Sequence, residues 1–489
     1  MNSARALLLI TLAVASGSSV AQTETTPPPP ARGQVLEAPQ QIGVYSESDL
    51  LSKISDGTIT QWLLKRIFEP KCAVAVYQLR YGTVGGRGEP TTASGALMIP
   101  TGDDPVCQGP RPVALYAHGK RNFKTFNIAD FNGSNAYEGV LLGLALAGSG
   151  YIVVAPNYAG YDSSTLDYHP FMNADQQSAD MMDALTAARA SLAALGAAEN
   201  GKLFVTGYSE GGYVAMATHR ALQAAGIPVT ASAPMSGPYA LSAFADAMFL
   251  GDVGAGAVEE FLMLSSSYQH AYGSLDLSYA GVFEPKYVSA AGLLPGTVGT
   301  DTLIAQGSMP NGTVFSSTPP TPDLAAMTPA DGRGFGPDNL ITNEFRLAYI
   351  QDALAAPDGG FPNTTTGLPP EAPANPFRQA LKYNDLRNWV PTSPLLMCAG
   401  DEDPVVFYEN TQLMEGYWAM TAPESYILTL DVDSPASRGG PYKNIKKRFA
   451  ETKKILKWIQ GREWVGENYH ALLVPAFCIQ AATSFFDQF

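Results

Sequence analysis

The stretch KLFVTGYSEGGYVAMA, residues 202–217, constrains this chain more than any other. It reads as a strand (Leu203, Phe204, Val205), a tight turn, and a helix rich in small residues from about Gly211 towards Ala224. The turn is Gly207-Tyr208-Ser209-Glu210-Gly211. A serine at the apex of such a turn has its Oγ pushed out of the sheet. Gly207 and Gly211 flank it because a Cβ at either position would collide with the neighbouring strand or helix. The following helix points its N-terminus at the serine, where free N–H groups favour a developing oxyanion. The five-residue pattern recurs by chance elsewhere, but here the required strand and helix lie on either side of it. Ser209 is therefore the candidate nucleophile.

The surrounding pattern sets the fold class. Residues 72–81 and 93–100 read as two strands joined by a turn at 82–88. Further apolar strands are expected at 113–117, 151–155, 229–235, 394–400 and 426–432, with helices near 139–147 and over 175–195. Short apolar strands separated by helices predict an α/β fold: a mainly parallel sheet with helices on both faces. The alternation breaks between Tyr239 and Trp389, where helical patterns at 241–249, 257–267 and 343–355 are mixed with Pro/Gly/Thr-rich loops. A break of roughly 150 residues predicts a domain of its own or a functional lid. We read 240–389 as a large, mostly helical cap inserted between late strands and seated over the sheet's carboxyl edge. The core is then 41–239 together with 390–489.

The first residues carry Arg5, an apolar run over 6–15 and the small-x-small triplet Ser19-Val20-Ala21, a secretory signal peptide over 1–21 that is too short to span a bilayer. Residues 22–40 contain four consecutive prolines and read as a disordered, solvated tether. The formal charge is −15, and removing the leader with its single Arg5 makes it −16. An acidic surface of this size argues against nucleic acid or an anionic membrane as partner. The apolar window at 139–156 is read as a buried helix and strand rather than a stable membrane insertion. The four cysteines include no C-x-x-C, so a metal site is not expected, while export permits disulfides. The favoured pairs are Cys72–Cys107, bracketing one hairpin, and Cys398–Cys478.

A serine nucleophile needs a base within hydrogen-bond reach and an acid to orient it. Of the five histidines, His118 ends a strand before Gly119, His169 precedes Pro170 in a loop, His219 recedes along the helix after Ser209, and His270 lies in the insertion. Only His470 follows the last strand, where the chain order serine, acid, histidine requires the base. The acid belongs just past a strand between the two. Gly400-Asp401-Glu402-Asp403-Pro404 offers Asp403 first and Asp401 in reserve, with Glu402, Asp431 and Asp433 further down the order. The oxyanion donors are expected to be the main-chain N–H groups of Glu210 and of the loop after His118-Gly119, at Lys120.

These residues resemble the α/β-hydrolase superfamily and, more narrowly, the secretory lipases of the fungal lipase A type and their bacterial relatives. The matching pieces are Gly207-Tyr208-Ser209-Glu210-Gly211-Gly212, Gly400-Asp401-Glu402-Asp403, His470 and the insertion between late strands. The resemblance implies a lipase or carboxylesterase with Ser209, Asp403 and His470 as its triad and with no cofactor. The loop His118-Gly119-Lys120 departs from the narrower family and is more like that of an esterase. The expected function is a secreted or periplasmic serine esterase acting on small-molecule or lipid esters. A peptidase of the same fold, a polyester or cell-wall ester hydrolase, and a non-catalytic scaffold are its rivals. Oligomeric state and acyl preference are not legible.

Overall fold

The computed structural model describes residues 28–54, 58–132, 136–273, 279–329, 332–436 and 440–489. The expected leader at 1–21 lies outside them. Nine strands form one sheet: β1 (Gln40–Tyr45), β2 (Ala73–Val84), β3 (Pro90–Thr101), β4 (Arg111–Ala117), β5 (Ile152–Pro156), β6 (Glu199–Tyr208), β7 (Ala231–Met235), β8 (Leu395–Ala399) and β9 (Ile427–Asp431). Their order is β1-β2-β3-β5-β4-β6-β7-β8-β9. The β1 to β3 edge and the β3–β5 pairing are antiparallel, whereas β5-β4-β6-β7-β8-β9 are parallel. Strands β5, β7 and β8 are buried along their whole length, which is why they read as unbroken apolar runs instead of alternating ones.

The helices that matter to the site are α1 (Ala136–Ala145), α2 (Ala174–Leu192), α3 (Glu210–Ala224), α4 (Leu241–Leu250), α5 (Ala257–Tyr272), α6 (Asn343–Ala355), α7 (Pro376–Tyr383), α8 (Glu409–Thr421), α9 (Lys443–Ile459) and α10 (Val474–Phe486). Helices α2 and α3 pack together over β2 to β7, and α10 packs on β6, β7 and β8 and against α1. The two pairs cover opposite faces, the arrangement a parallel sheet requires. Asn173 caps α2 by accepting from the Gln176 N–H. Helix α10 begins after a π turn at Tyr469–Leu473. Among the described residues, Tyr469–Phe486 is the stretch long and apolar enough to cross a membrane, yet 78% of that window is buried inside the fold.

Between β7 and β8 the chain builds α4 to α7 and a short parallel pair, Phe315–Ser316 with Phe335–Gly336. Helix α7 is absent from the periodic segments read in the sequence. It is a helix with only part of one face buried, capped by Asn375, whose side chain accepts from the Phe377 and Arg378 N–H groups. Both favoured disulfides are present, Cys72–Cys107 and Cys398–Cys478. The second joins β8 to α10 across 80 residues of sequence, and in the chain-entropy account closing such a loop stabilises by about 4–5 kcal/mol.

One expectation needs correction. The stretch 22–40 is not a free tether over its second half. Gly33 N–H donates to Gly82 O at 2.9 Å and Leu36 N–H to Arg80 O at 3.0 Å, and Arg32 pairs with Asp183. Gly33 has φ +69°, and a Cβ there would lie 2.7 Å from Thr186. Composition registers the prolines before this segment but not the end of β2 beyond its pairing with β1, which lends it backbone partners.

Candidate active site

Strand β6 ends at Tyr208 and α3 starts at Glu210, so Ser209 alone makes the turn. Its φ of 61° and ψ of −123° are strained for a residue with a Cβ, typically by about 1–3 kcal/mol, and persist only where surroundings enforce them. The enforcement is visible in the glycines. A Cβ on Gly207 would sit 2.3 Å from Gly211 O, one on Gly211 1.9 Å from Ala117 O, and one on Gly212 2.2 Å from Met235 O. Helix α3 thus lies directly on β4 and β7, and the Ser209 side chain has one direction left. Gly212 does this work too, although the five-residue pattern omits it.

Ser209 Oγ lies 2.8 Å from His470 Nε2, and His470 Nδ1 lies 2.6 Å from Asp403 Oδ2. The other Asp403 oxygen, Oδ1, accepts from Val405 N–H at 2.9 Å and Val406 N–H at 3.1 Å. Asp403 is therefore held by the turn after β8, and its side chain is fully buried against the imidazole. Tyr208 O–H donates to His470 O at 2.7 Å, pinning the π turn that carries the histidine. Of the remaining acids, Asp401 is exposed and the others are engaged elsewhere. Asp431 accepts from the Asp401 and Asp433 N–H groups, Glu402 pairs with Lys453, and Asp433 takes Lys453 and Tyr469 O–H. Lys453 holds the Glu402 carboxyl below its ordinary range.

The loop after β4 runs beside the serine: a Cβ on Gly119 would stand 3.6 Å from Ser209 Cβ. Glu138 anchors this loop from α1, accepting from Gly119 N–H at 3.1 Å and from Tyr116 O–H at 2.7 Å, and pairing with Arg121. Among the described residues, the main-chain N–H groups of Lys120 and Glu210 donate to no protein acceptor. His118 is fully buried, stacked on Tyr158 with ring centroids 4.2 Å apart. Burial pushes its pKa down, and its ring nitrogens are taken up by main-chain carbonyls, Nδ1 2.7 Å from Gly119 O and Nε2 3.1 Å from Asn157 O. His219, also buried, meets Ser232 Oγ at 2.8 Å, and His270 stacks on Tyr168 at 4.0 Å.

Two cavities meet at Ser209. One, of about 660 Å³, lies under α4 and α5 and is lined by apolar side chains such as Phe244, Met248, Phe261, Leu264 and Phe377. The other, of about 900 Å³, contains His470, Tyr137, Tyr208, Arg121 and Glu138. Lys120 and Glu260 line both, and their side chains meet at 3.5 Å. Desolvation raises the Glu260 pKa, and Lys120 opposes the rise.

Sequence reading passed over His169. The structure puts its Nε2 2.8 Å from Glu210 Oε1, directly behind the serine turn. No local pattern announces a contact made across 41 residues of sequence.

Comparison with known proteins bears on the fold. The prolyl oligopeptidase family model matches residues 143–235, which include the serine turn. A ligand-bound form of the rice cell wall degrading esterase LipA from Xanthomonas oryzae is 26% identical with a TM-score of 0.64, covering 88% of this chain and 98% of that one. A Legionella pneumophila protein shares the fold at 19% identity and a TM-score of 0.63, covering 93% and 98%. Candida antarctica lipase A matches at 14% identity and a TM-score of 0.48, covering 82% and 76%, a likeness too slight to argue from. No curated protein sequence matches. The chain has the α/β-hydrolase fold that the sequence led us to expect, and the chemistry supported at this level is that of a serine hydrolase.

Proposed function

We propose that this chain hydrolyses carboxylic esters through an acyl-enzyme on Ser209. The observation that carries the reading is the unbroken line Ser209 Oγ, His470 Nε2, His470 Nδ1, Asp403 Oδ2, at 2.8 and 2.6 Å, beside two main-chain donors that meet no acceptor among the described residues. His470 removes the Oγ proton as the serine attacks the ester carbonyl, and Asp403 stabilises the imidazolium that forms. The carbonyl oxygen becomes an oxyanion, met by the N–H groups of Glu210 and Lys120. The tetrahedral intermediate then collapses, and His470 hands its proton to the departing alcohol. Water activated by the same imidazole releases the acid.

That proton transfer orients the substrate. The leaving alcohol must face His470, which lines the 900 Å³ cavity and not the apolar one. The acyl chain is then assigned to the 660 Å³ cavity beneath α4 and α5, so residues 240–389 act as the cap that encloses it. The Lys120–Glu260 contact stands between the two halves of the substrate. The esterase activity of LipA brings cell-wall esters in as a natural substrate class. The two disulfides and the leader-like start fit export from the cytoplasm to the periplasm or beyond.

The test is hydrolysis of p-nitrophenyl acetate, butyrate, octanoate and palmitate by protein beginning at Gln22, with Ser209→Ala alongside. Rates should rise from acetate as the chain fills the apolar cavity, and Ser209→Ala should lower kcat by roughly 10⁴-fold or more. Turnover of aminoacyl amides without turnover of any ester would replace this reading with a peptidase.

A further inference from the structure

Immediately behind the serine turn is a buried pair that the reaction steps above do not use. Glu210 is 1% exposed and His169 2%. Glu210 Oε1 lies 2.8 Å from His169 Nε2 and accepts from Gln177 Nε2 at 2.7 Å. His169 Nδ1 lies 3.0 Å from Ala159 O, and the neighbouring Ala159 N–H donates to Asp180 Oδ2 at 2.6 Å. The rings of Tyr158 and Tyr161 enclose the imidazole.

The hydrogen count follows from the acceptors. A carbonyl oxygen only accepts, so Nδ1 carries a hydrogen. At 2.8 Å, Nε2 and Oε1 also need one between them, since two lone pairs would repel. The pair therefore holds one proton more than a neutral imidazole beside a carboxylate. Whether that proton rests on nitrogen or oxygen, the pair is net neutral.

We infer that His169, with Gln177, is a positioning residue that shares a proton with Glu210, keeps the buried pair net neutral and fixes the Glu210 main-chain N–H towards the developing oxyanion. The inference rests on the proposed role of the Glu210 N–H. An acid at the position after the nucleophile would otherwise set a buried negative charge beside a second one forming on the substrate. With His169 in place, Glu210 contributes its amide dipole without an opposing net charge from the pair, and the first turn of α3 is tied to the 159–169 loop.

The test compares wild type, His169→Phe, the double variant His169→Phe/Glu210→Gln, and Ser209→Ala. Readouts are kcat and KM for p-nitrophenyl butyrate, Ki for a trifluoromethyl ketone that forms a tetrahedral adduct, and Tm. Expected for His169→Phe is a fall in kcat of about thirtyfold, a KM within about twofold, and a Ki weakened in parallel with kcat, as loss of transition-state binding requires. Removing the stranded carboxylate should recover about tenfold of that loss in the double variant. If His169→Phe does not yield folded protein, His169→Gln with the same double carries the comparison. A kcat within twofold of wild type, or a loss shared by the double variant and tracked by Tm, overturns the inference and leaves the ester reading intact. Undiminished turnover by Ser209→Ala overturns both.

Discussion

Around Ser209 the backbone itself leaves no room: carbonyl oxygens of β4, β7 and α3 occupy the places where Cβ atoms on Gly207, Gly211 and Gly212 would go. The inserted helices above it are held by charge. Arg378 lies fully buried between Asp246 and Asp352 at 2.8 and 2.7 Å. Arg387 lies fully buried between Asp358 and Asp385 at 2.6 and 2.8 Å. Arg346 donates to Phe249 O and Met327 O, and Phe249 stacks on Tyr349 at 3.6 Å. The two regions are tied where Tyr213 O–H, from α3, donates to Asn384 O at 2.7 Å. Close packing of main chain tolerates no alternative geometry. Buried ion pairs add little net stability but select one arrangement, because an alternative would strand a charge. On the proposed function, the serine turn needs the first kind of rigidity, and the insertion proposed to enclose the substrate is served by the second.

The comparison breaks most visibly at Gly211→Ala. The new Cβ would meet Ala117 O at 1.9 Å, so α3 must shift off β4 and carry Ser209 with it. Displacement of about 1 Å should lower kcat/KM by at least roughly 100-fold in the ester assay; a fully active variant would show that the turn is not backbone-locked. Next is Arg387→Ala, which leaves the Asp358 and Asp385 carboxylates without their cation. Denaturant titration should show a loss of about 3–5 kcal/mol. Arg387→Met with both aspartates changed to asparagine should recover most of it, since no charge is then stranded. A loss as large in that triple variant would mean the insertion is held by shape and not by charge.

The smallest expected effect sharpens the contrast from inside the core. His219, on α3, is buried, with Nε2 unpartnered among the described residues and a pKa pushed down to about 4 by desolvation. The unfolded chain takes up a proton near pH 6.5 while the folded one does not, so stability present above pH 6.5 is lost as the pH falls towards 4. The full span amounts to about 3 kcal/mol. His219→Gln should flatten that part of a Tm-against-pH curve; an unchanged slope would move the acid sensitivity to the ion pairs of the insertion.

Much of this was readable before any coordinates. The strand–turn–helix around Ser209 is a local arrangement, and its glycines are dictated by contacts any such turn must make. Apolar runs separated by helical patterns locate the parallel strands, because burial on both faces writes itself into composition. The chain order of serine, acid and histidine singles out Asp403 and His470 as candidates with no knowledge of distance. The two disulfide pairings follow from the same ordering of elements.

Tertiary structure decided the rest, and for one reason: the contacts join residues whose local sequence says nothing of their partner. The line from Ser209 to His470 spans 261 residues. His169 looks like a loop histidine before a proline until α3 brings Glu210 against it. The docking of 31–36, helix α7, and the division of space into an apolar cavity and one facing His470 depend on which faces the folded sheet leaves uncovered. Sequence determined the chemistry that can occur at the turn. Only the packed fold determined that the space on the two sides of the serine differs, apolar on one and lined by His470 on the other, since that asymmetry belongs to the space between elements.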